Sequence, residues 1–231
     1  MTVGYELTDT VATLTMDDGK VNVLGLAMQA ALNEALDRAE ADEVKALVLA
    51  GNGRVFSGGF DLEVFQSGDK EKSLQMLSGG FELAARLLSF RAPVVMAATG
   101  PAIAMGGFLL LAGDHLVGQP KTRCQAIEVA IGMTMPYAAL EIMKYRLTPA
   151  AYQRANALAT TFTGDAAIAA GWLDEIVEAD RVVARAQEFA AEAAKTIHTR
   201  AHRDSKLKAR GDVLKGIRAG IESLPTEFTL L

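Results

Sequence analysis

Cysteine is nearly absent from this chain: Cys124 is the only one in 231 residues. A lone thiol cannot close an internal disulfide, so nothing supports a secreted, cross-linked scaffold. Histidine is scarce too, with three residues. His198 and His202 stand four apart, but the glutamate of H-E-x-x-H is missing and no third ligand lies nearby, so a solvated basic helix is expected and no metal site. His115, after Asp114 at an expected strand start, is assigned a structural role. Long apolar runs are missing. The longest, Phe108 to Ala112 with its glycine neighbours, falls far short of the ~20 residues that span a bilayer. Met1 to Leu7 carry no basic region followed by an apolar run, so no signal peptide is expected. A cytoplasmic protein without a membrane partner is the default. The net charge of -5 leaves no electrostatic footprint for nucleic acid. The single basic cluster, Lys206, Lys208 and Arg210, is expected to be a solvated helix face, the alternative being that one of these residues meets a phosphate.

What is present is apolar and periodic. Half of the residues are hydrophobic, enough for a sizeable core in one large domain or two small ones. Val3 to Leu7 and Val11 to Met16 read as a hairpin around Thr8-Asp9-Thr10. Met28, Ala31, Leu32, Ala35, Leu36 and Ala39 recur at helical spacing, with Glu34, Asp37, Arg38 and Glu40 opposite. Val44 to Ala50 is a buried strand by its near-continuous apolar run. A glycine-rich stretch, Gly51 to Leu62, follows, then a helix over Leu74 to Phe90, a strand over Val94 to Ala98, a second glycine loop over Gly100 to Gly107, and an apolar helix over Phe108 to Ala112. From Pro149 onward the chain is alanine-rich and helical in pattern, with breaks at Gly164 and Gly171. There is no tandem repeat and no low-complexity linker.

Twice, then, glycines stand directly after a buried strand. Glycine permits positive φ and close backbone approach, and free amides at such turns attract negative charge. Phosphate binding by a known loop fails: no G-x-x-x-x-G-K-[ST] is present, and G-x-G-x-x-G would need glycine where Phe56 stands. Tight turns alone are the plain alternative. No serine or cysteine occupies a G-x-S-x-G elbow, and Ser57 sits at a turn. Asp61 is placed to cap the helix after the first loop.

Taken together the segments carry a resemblance. Ala46 to Gly51 with Val55-Phe56-Ser57-Gly58-Gly59-Phe60-Asp61-Leu62 resembles the first oxyanion segment of the crotonase (enoyl-CoA hydratase/isomerase) family. Val94 to Gly107, with an apolar helix ending at Asp114, resembles the second. Met16 to Leu24 resembles the loop before the family's first helix, and Ala166 to Val177 its strand-free C-terminal junction. The resemblance implies an α/β spiral of ββα units over 1–180, with a C-terminal helical trimerisation region over 181–231. It implies an acyl-CoA thioester as ligand, with coenzyme A as part of the substrate and no covalently bound cofactor. It implies an oxyanion hole made by the backbone N–H groups of Phe60 and Met105. Met105 stands where the family usually has glycine, so its backbone must reach the required geometry with a β-carbon present. Ser57, Gly58, Gly59, Asp61, Leu62, Gly106, Gly107, Phe108 and Pro136 are the implied substrate-binding positions. Met133, Met135, Phe65, Phe81 and Leu77 are candidates for an acyl pocket, with core packing the equal alternative. A homotrimer or homohexamer is implied, its C-terminal helices packed on neighbours and helping to cover the CoA, with Lys206 or Lys208 toward the CoA phosphates.

Hydratases of this family pair two glutamates, since adding water needs both a base and an acid. The first position falls here on Phe108, which can do neither. The second falls on Glu128, the only acidic residue between Asp114 and Glu141, set among apolar neighbours where burial would raise its pKa; the plain alternative is a surface glutamate on a short helix. A single carboxylate can take a proton from one carbon and return it to another, as in the family's Δ3-Δ2-enoyl-CoA isomerases. Gly132-Met133-Thr134-Met135-Pro136-Tyr137-Ala138-Ala139 departs from the hydratase run G-x-x-P-G-x-G-G and is closer to the isomerase pattern. Isomerisation is therefore the leading expectation. Hydration is the alternative within the family, and acyl-CoA binding without turnover the alternative of another class.

Overall fold

Alternation along the strands decides which face each residue takes. In the computed structural model, which describes residues 2–227, β1 (Val3–Thr8) and β2 (Val11–Met16) form the expected hairpin, with Asp9 in the left-handed region at the turn. Helix α1 (Leu26–Ala41) leads to β3 (Ala46–Ala50), which is buried on both faces. A short α2 (Leu62–Gln66) and a long α3 (Lys70–Ser89) precede β4 (Val94–Ala97). Then come β5 (Ala102–Ile103), α4 (Met105–Leu110), β6 (His115–Gly118) and β7 (Cys124–Gln125). Helices α5 (Tyr137–Arg146), α6 (Pro149–Leu158) and α7 (Gly164–Ala170) precede β8 (Glu175–Ile176). Helices α8 (Val182–Thr196), α9 (Thr199–Ala209) and α10 (Gly211–Glu227) complete the described chain.

The main sheet runs β1-β2-β3-β4-β6-β8, antiparallel only at β1–β2, while β5 and β7 pair in a small parallel sheet beside it. Ala46, Val48 and Ala50 of β3, with Val95 and Ala97 of β4, point to one face, where Val182, Ala186, Ala190 and Ala194 of α8 cover them. Leu47 and Leu49, with Val94 and Met96, point to the other face and the larger core shared with α1, α3 and α4. Small residues on both partners let α8 lie close to the sheet.

Four expectations are corrected. The apolar helix ends at Leu110 rather than Asp114, because Asp114 is needed elsewhere. The junction over Ala166 to Val177 is not strand-free: Glu175 and Ile176 pair with Val117 and Gly118 of β6, respectively. The basic cluster is not a solvated face. Lys208 is exposed, but Lys206 and Arg210 turn inward and are buried. The Lys206 ammonium lies 2.6 Å and the Arg210 guanidinium 2.7 Å from the Asp114 carboxylate, which also accepts from the Val94 amide at 2.7 Å. Arg210 donates further to the Leu88 carbonyl at 2.9 Å. Two guanidinium- and ammonium-bearing stems thus fasten α9 to the end of β6. His202 belongs to the same group, 3.9 Å from Asp114, whereas His198 caps α9 through its ring nitrogen, so the two histidines do not share a solvated face. His115 stacks on Phe189 of α8 at 3.8 Å between ring centroids, a packing role. Helix α10 packs along α5 and α3.

Candidate active site

The two glycine loops meet because a third segment laces them. Asn22, buried and in the left-handed region (φ 53°), donates to the carbonyls of Met16 and Phe56 at 3.0 and 3.2 Å. The Asp18 carboxylate accepts from the amides of Lys20, Asn22 and Val23. Burial works to raise the Asp18 pKa, but these amides outweigh it and hold the carboxyl below its ordinary value. The Ser57 hydroxyl donates to the Asn22 carbonyl at 2.7 Å and accepts from the Gly59 amide at 3.2 Å. The Gly58 amide reaches the Val21 carbonyl, the Leu24 amide the Gly59 carbonyl, and the Ile103 amide the Ser57 carbonyl. Sequence inspection missed Asp18 and Asn22. Their signal was present in the turn chemistry of Asp17-Asp18-Gly19 followed by Asn22, where short amide and carboxylate side chains bond nearby backbone.

Two glycines are required by contact. Gly59 adopts φ 96°, and a Cβ there would lie 2.9 Å from the Ile103 carbonyl oxygen and 3.4 Å from the Met105 nitrogen. A Cβ on Gly106 would collide with the Ser57 carbonyl. The steric demand expected at Met105 instead falls one residue earlier. Ala104, at φ 51° and ψ −127°, carries the strained backbone, while Met105 opens α4 without a positive φ. Such a conformation in a residue with a β-carbon costs on the order of 1–3 kcal/mol and is found where the surroundings over-determine it. Here the Ala104 amide donates to the Gln125 carbonyl at 2.9 Å and the Ala104 carbonyl accepts from Gly107 and Phe108.

The amides of Phe60 and Met105, beside this crossing, donate to no acceptor among the described residues. Next to them opens a cavity of ≈ 410 Å³ with largely apolar walls. Pairing of β5 with β7 carries the chain from the second loop to the cavity's far wall: Ile103 opposes Gln125, and three residues on, Glu128 begins a one-turn 3-10 helix ended by left-handed Gly132. Glu128 is buried, 7% exposed, and lines the cavity. Its Oε2 has no hydrogen-bond partner. Burial pushes its pKa up to about 7, with the amides of Glu128 itself and Ile127 pulling weakly the other way. Two other carboxylates line the cavity, Asp61 and Glu63. Asp61 is occupied in capping α2, accepting from the Glu63 amide at 3.0 Å, and Glu63 is exposed. Glu128 is thus the one buried carboxylate among the lining residues.

Of the substrate-binding positions inferred from sequence, Gly58, Asp61, Leu62, Phe108 and Pro136 line the cavity, as do Phe65, Leu77, Phe81 and Met133. Ser57, Gly59, Gly106 and Gly107 do not; they lie behind it, holding the loops together. Met135 lies in the core. Phe108, where a second glutamate would stand, stacks on Phe81 with ring centroids 6.4 Å apart. Lys206, clasped to Asp114, is not among the cavity residues. Among the described residues no group of three or more His, Cys, Asp or Glu could hold a metal ion, and no helix is long and apolar enough to cross a membrane.

Comparison with known proteins bears on this arrangement. Residues 6–214 match the model of the enoyl-CoA hydratase/isomerase family. An apo structure of a Mycobacterium tuberculosis enoyl-CoA isomerase is 57% identical, with a TM-score of 0.95 over 98% of this chain and 99% of that one. A crystal structure of an enoyl-CoA hydratase from Mycobacterium marinum is 55% identical, with a TM-score of 0.96 over 99% of this chain and all of that one (100%). A peroxisomal fatty acid beta-oxidation multifunctional protein of Arabidopsis thaliana is 36% identical over 128 residues, 54% of this chain but only 18% of that much longer protein. With an α/β fold shared over nearly its whole length and the family pattern running from the hairpin into α10, the chain belongs to the enoyl-CoA hydratase/isomerase family of the crotonase superfamily.

Proposed function

We propose that this acyl-CoA enzyme shifts a double bond, converting a 3-enoyl-CoA to a 2-enoyl-CoA, with Glu128 as the proton carrier. The observation that supports this most is the single buried carboxylate facing a largely apolar cavity, with Phe108 in the place of a partner acid. Glu128 takes the proton from the carbon next to the thioester carbonyl. The C–H electrons enter a conjugated dienolate whose charge rests on the thioester oxygen. The unpartnered amides of Phe60 and Met105 receive that oxygen, one such donor being worth roughly 2.7–4 kcal/mol in the transition state. Glu128 then returns the proton to the far end of the dienolate, restoring the thioester carbonyl and leaving the double bond in conjugation with it. A pKa of about 7 suits both halves, since the group must give up what it has taken. The cavity receives the acyl chain, the coenzyme A part of the substrate lies outside it, and a homotrimer or homohexamer belongs to the same proposal.

Purified protein assayed on matched 3-enoyl- and 2-enoyl-CoA thioesters, with products separated by mass, tests the proposal. Double-bond migration is expected, with hydration slow or absent. Glu128→Gln is expected to lower the rate by about 10²–10⁴-fold. Efficient hydration of the 2-enoyl thioester with the 3-enoyl one untouched identifies a hydratase instead, and tight binding without turnover identifies a binding protein.

A further inference from the structure

Helix α3 contains two adjacent glycines in its interior, Gly79 and Gly80, at positions where only proline is less favourable. Gly79 is explained by packing against α1. The Gln29 side-chain amide fills the place of its missing Cβ and donates to the carbonyls of Leu24 and Met76, both at 2.8 Å. Gly80 faces the other way, toward the cavity wall. A Cβ there would lie 2.5 Å from Cε1 and 2.8 Å from Cζ of Phe60, and 3.5 Å from Cγ of Met105. The Met105 contact is ordinary van der Waals distance and asks for no movement. The Phe60 contacts are impossible without it.

The direction of that movement is constrained. The Phe60 ring already meets Phe65 and Phe81 edge-on, with centroids 6.1 and 6.0 Å away. Phe81 is fully buried and backed by Phe108. What remains open to the ring is the cavity, which Phe60 lines. We infer that Gly80 is a specificity-determining residue: by leaving room for the Phe60 ring against α3, it keeps that ring out of the chamber that takes the acyl chain. The Phe60 amide is main-chain and stays where it is when the ring turns about its side-chain bonds. Gly80 therefore governs which chain lengths fit, not the chemistry at the thioester. This inference rests on the cavity being the acyl chamber.

The test is a cycle of wild type, Gly80→Ala, Phe60→Leu and the double variant, each titrated with unreactive saturated acyl-CoAs from short to long and assayed on 3-enoyl-CoAs over the same range. Gly80→Ala is expected to weaken binding and kcat/KM for the longest accepted chains by about tenfold relative to the shortest, the scale of one methylene's mismatch in an apolar pocket. In the Phe60→Leu background the same substitution is expected to leave the length profile within about twofold. A Gly80→Ala variant that loses all chain lengths alike, or that narrows the profile equally with Leu at position 60, overturns the inference. Wild-type protein that binds no saturated acyl-CoA sinks the acyl-chamber reading itself. Binding that survives in a protein without isomerase activity sinks only the proposed reaction and leaves Gly80 testable by titration.

Discussion

At the scale of single residues, Glu128, on the proposed chemistry, is expected to couple acidity to both rate and stability. As the proposed base it works deprotonated, so kcat/KM is expected to rise with pH through an apparent pKa near 7 and then level off, as a pH–rate profile would show. Stability runs the opposite way. Between the ordinary glutamate pKa of 4.5 and about 7, the folded protein holds a proton that the unfolded chain has released, so raising the pH favours unfolding across that window. Melting temperatures measured from below pH 4.5 to above pH 7 are expected to contain a fall that Glu128→Gln lacks; equal slopes for the two proteins would disprove the assignment. Part of this residue was legible in sequence: a lone acid among apolar neighbours suggests burial, with a surface position as the alternative, although Val129 and Ala130 are themselves exposed. The strain was not. It sits on Ala104 rather than Met105 because the turn's geometry depends on the pairing of β5 with β7, two-residue strands that no periodicity can reveal.

At the scale of elements, the fastening of α9 shows where charge patterns mislead. Lys206 and Arg210 stand in a run of charges that looks solvated. Their partner Asp114 lies 92 and 96 residues earlier in the chain, a separation local sequence does not report. Burial pushes the Lys206 ammonium down to about 8 despite the pull of Asp114, so the group is costly as well as cohesive. Removing the one carboxylate strands two buried cations. Asp114→Asn is expected to cost about 3–5 kcal/mol, a drop in melting temperature on the order of 10 °C for a chain of this size. Lys206→Met, which leaves the Asp114–Arg210 pair intact, is expected to cost far less by the same calorimetry. The regular elements were legible, because the apolar spacing of α1 and the runs of β3 and β4 follow from burial alone. Helix α3 begins at Lys70, four residues before its apolar pattern, because Asp69 caps it by accepting from the Lys72 amide.

At the scale of the whole molecule, the helices after residue 180 are less an appendage than the sequence pattern implied. Helix α8 covers one face of the inner strands β2, β3, β4 and β6, and without it Val48, Val95 and Val117 would meet water. A chain ending after Asp180 is expected to be insoluble or to lack a cooperative thermal transition, whereas a soluble, cooperatively melting fragment would mean that 1–180 folds alone. The alanine pattern of α8 was visible as helix, but which face of which sheet it would cover was not, since small residues suit many partners.

The crossing of the two glycine loops has a consequence for how such a protein changes over generations. Its proposed charge-receiving groups are peptide amides, positioned by main-chain bonds through Ser57, Gly59, Ala104 and Gln125 together with the side chains of Ser57 and Asn22. Nearly every substitution leaves a peptide amide in place. Glu128 and Phe108 are side chains, each exchangeable by altering one codon. On the proposed chemistry, the scaffold inherits the ability to stabilise an enolate as long as the few residues that hold the crossing are kept, Gly59, Gly106, Asn22 and Ser57 among them, while the fate of that enolate is rewritten cheaply, one wall residue at a time.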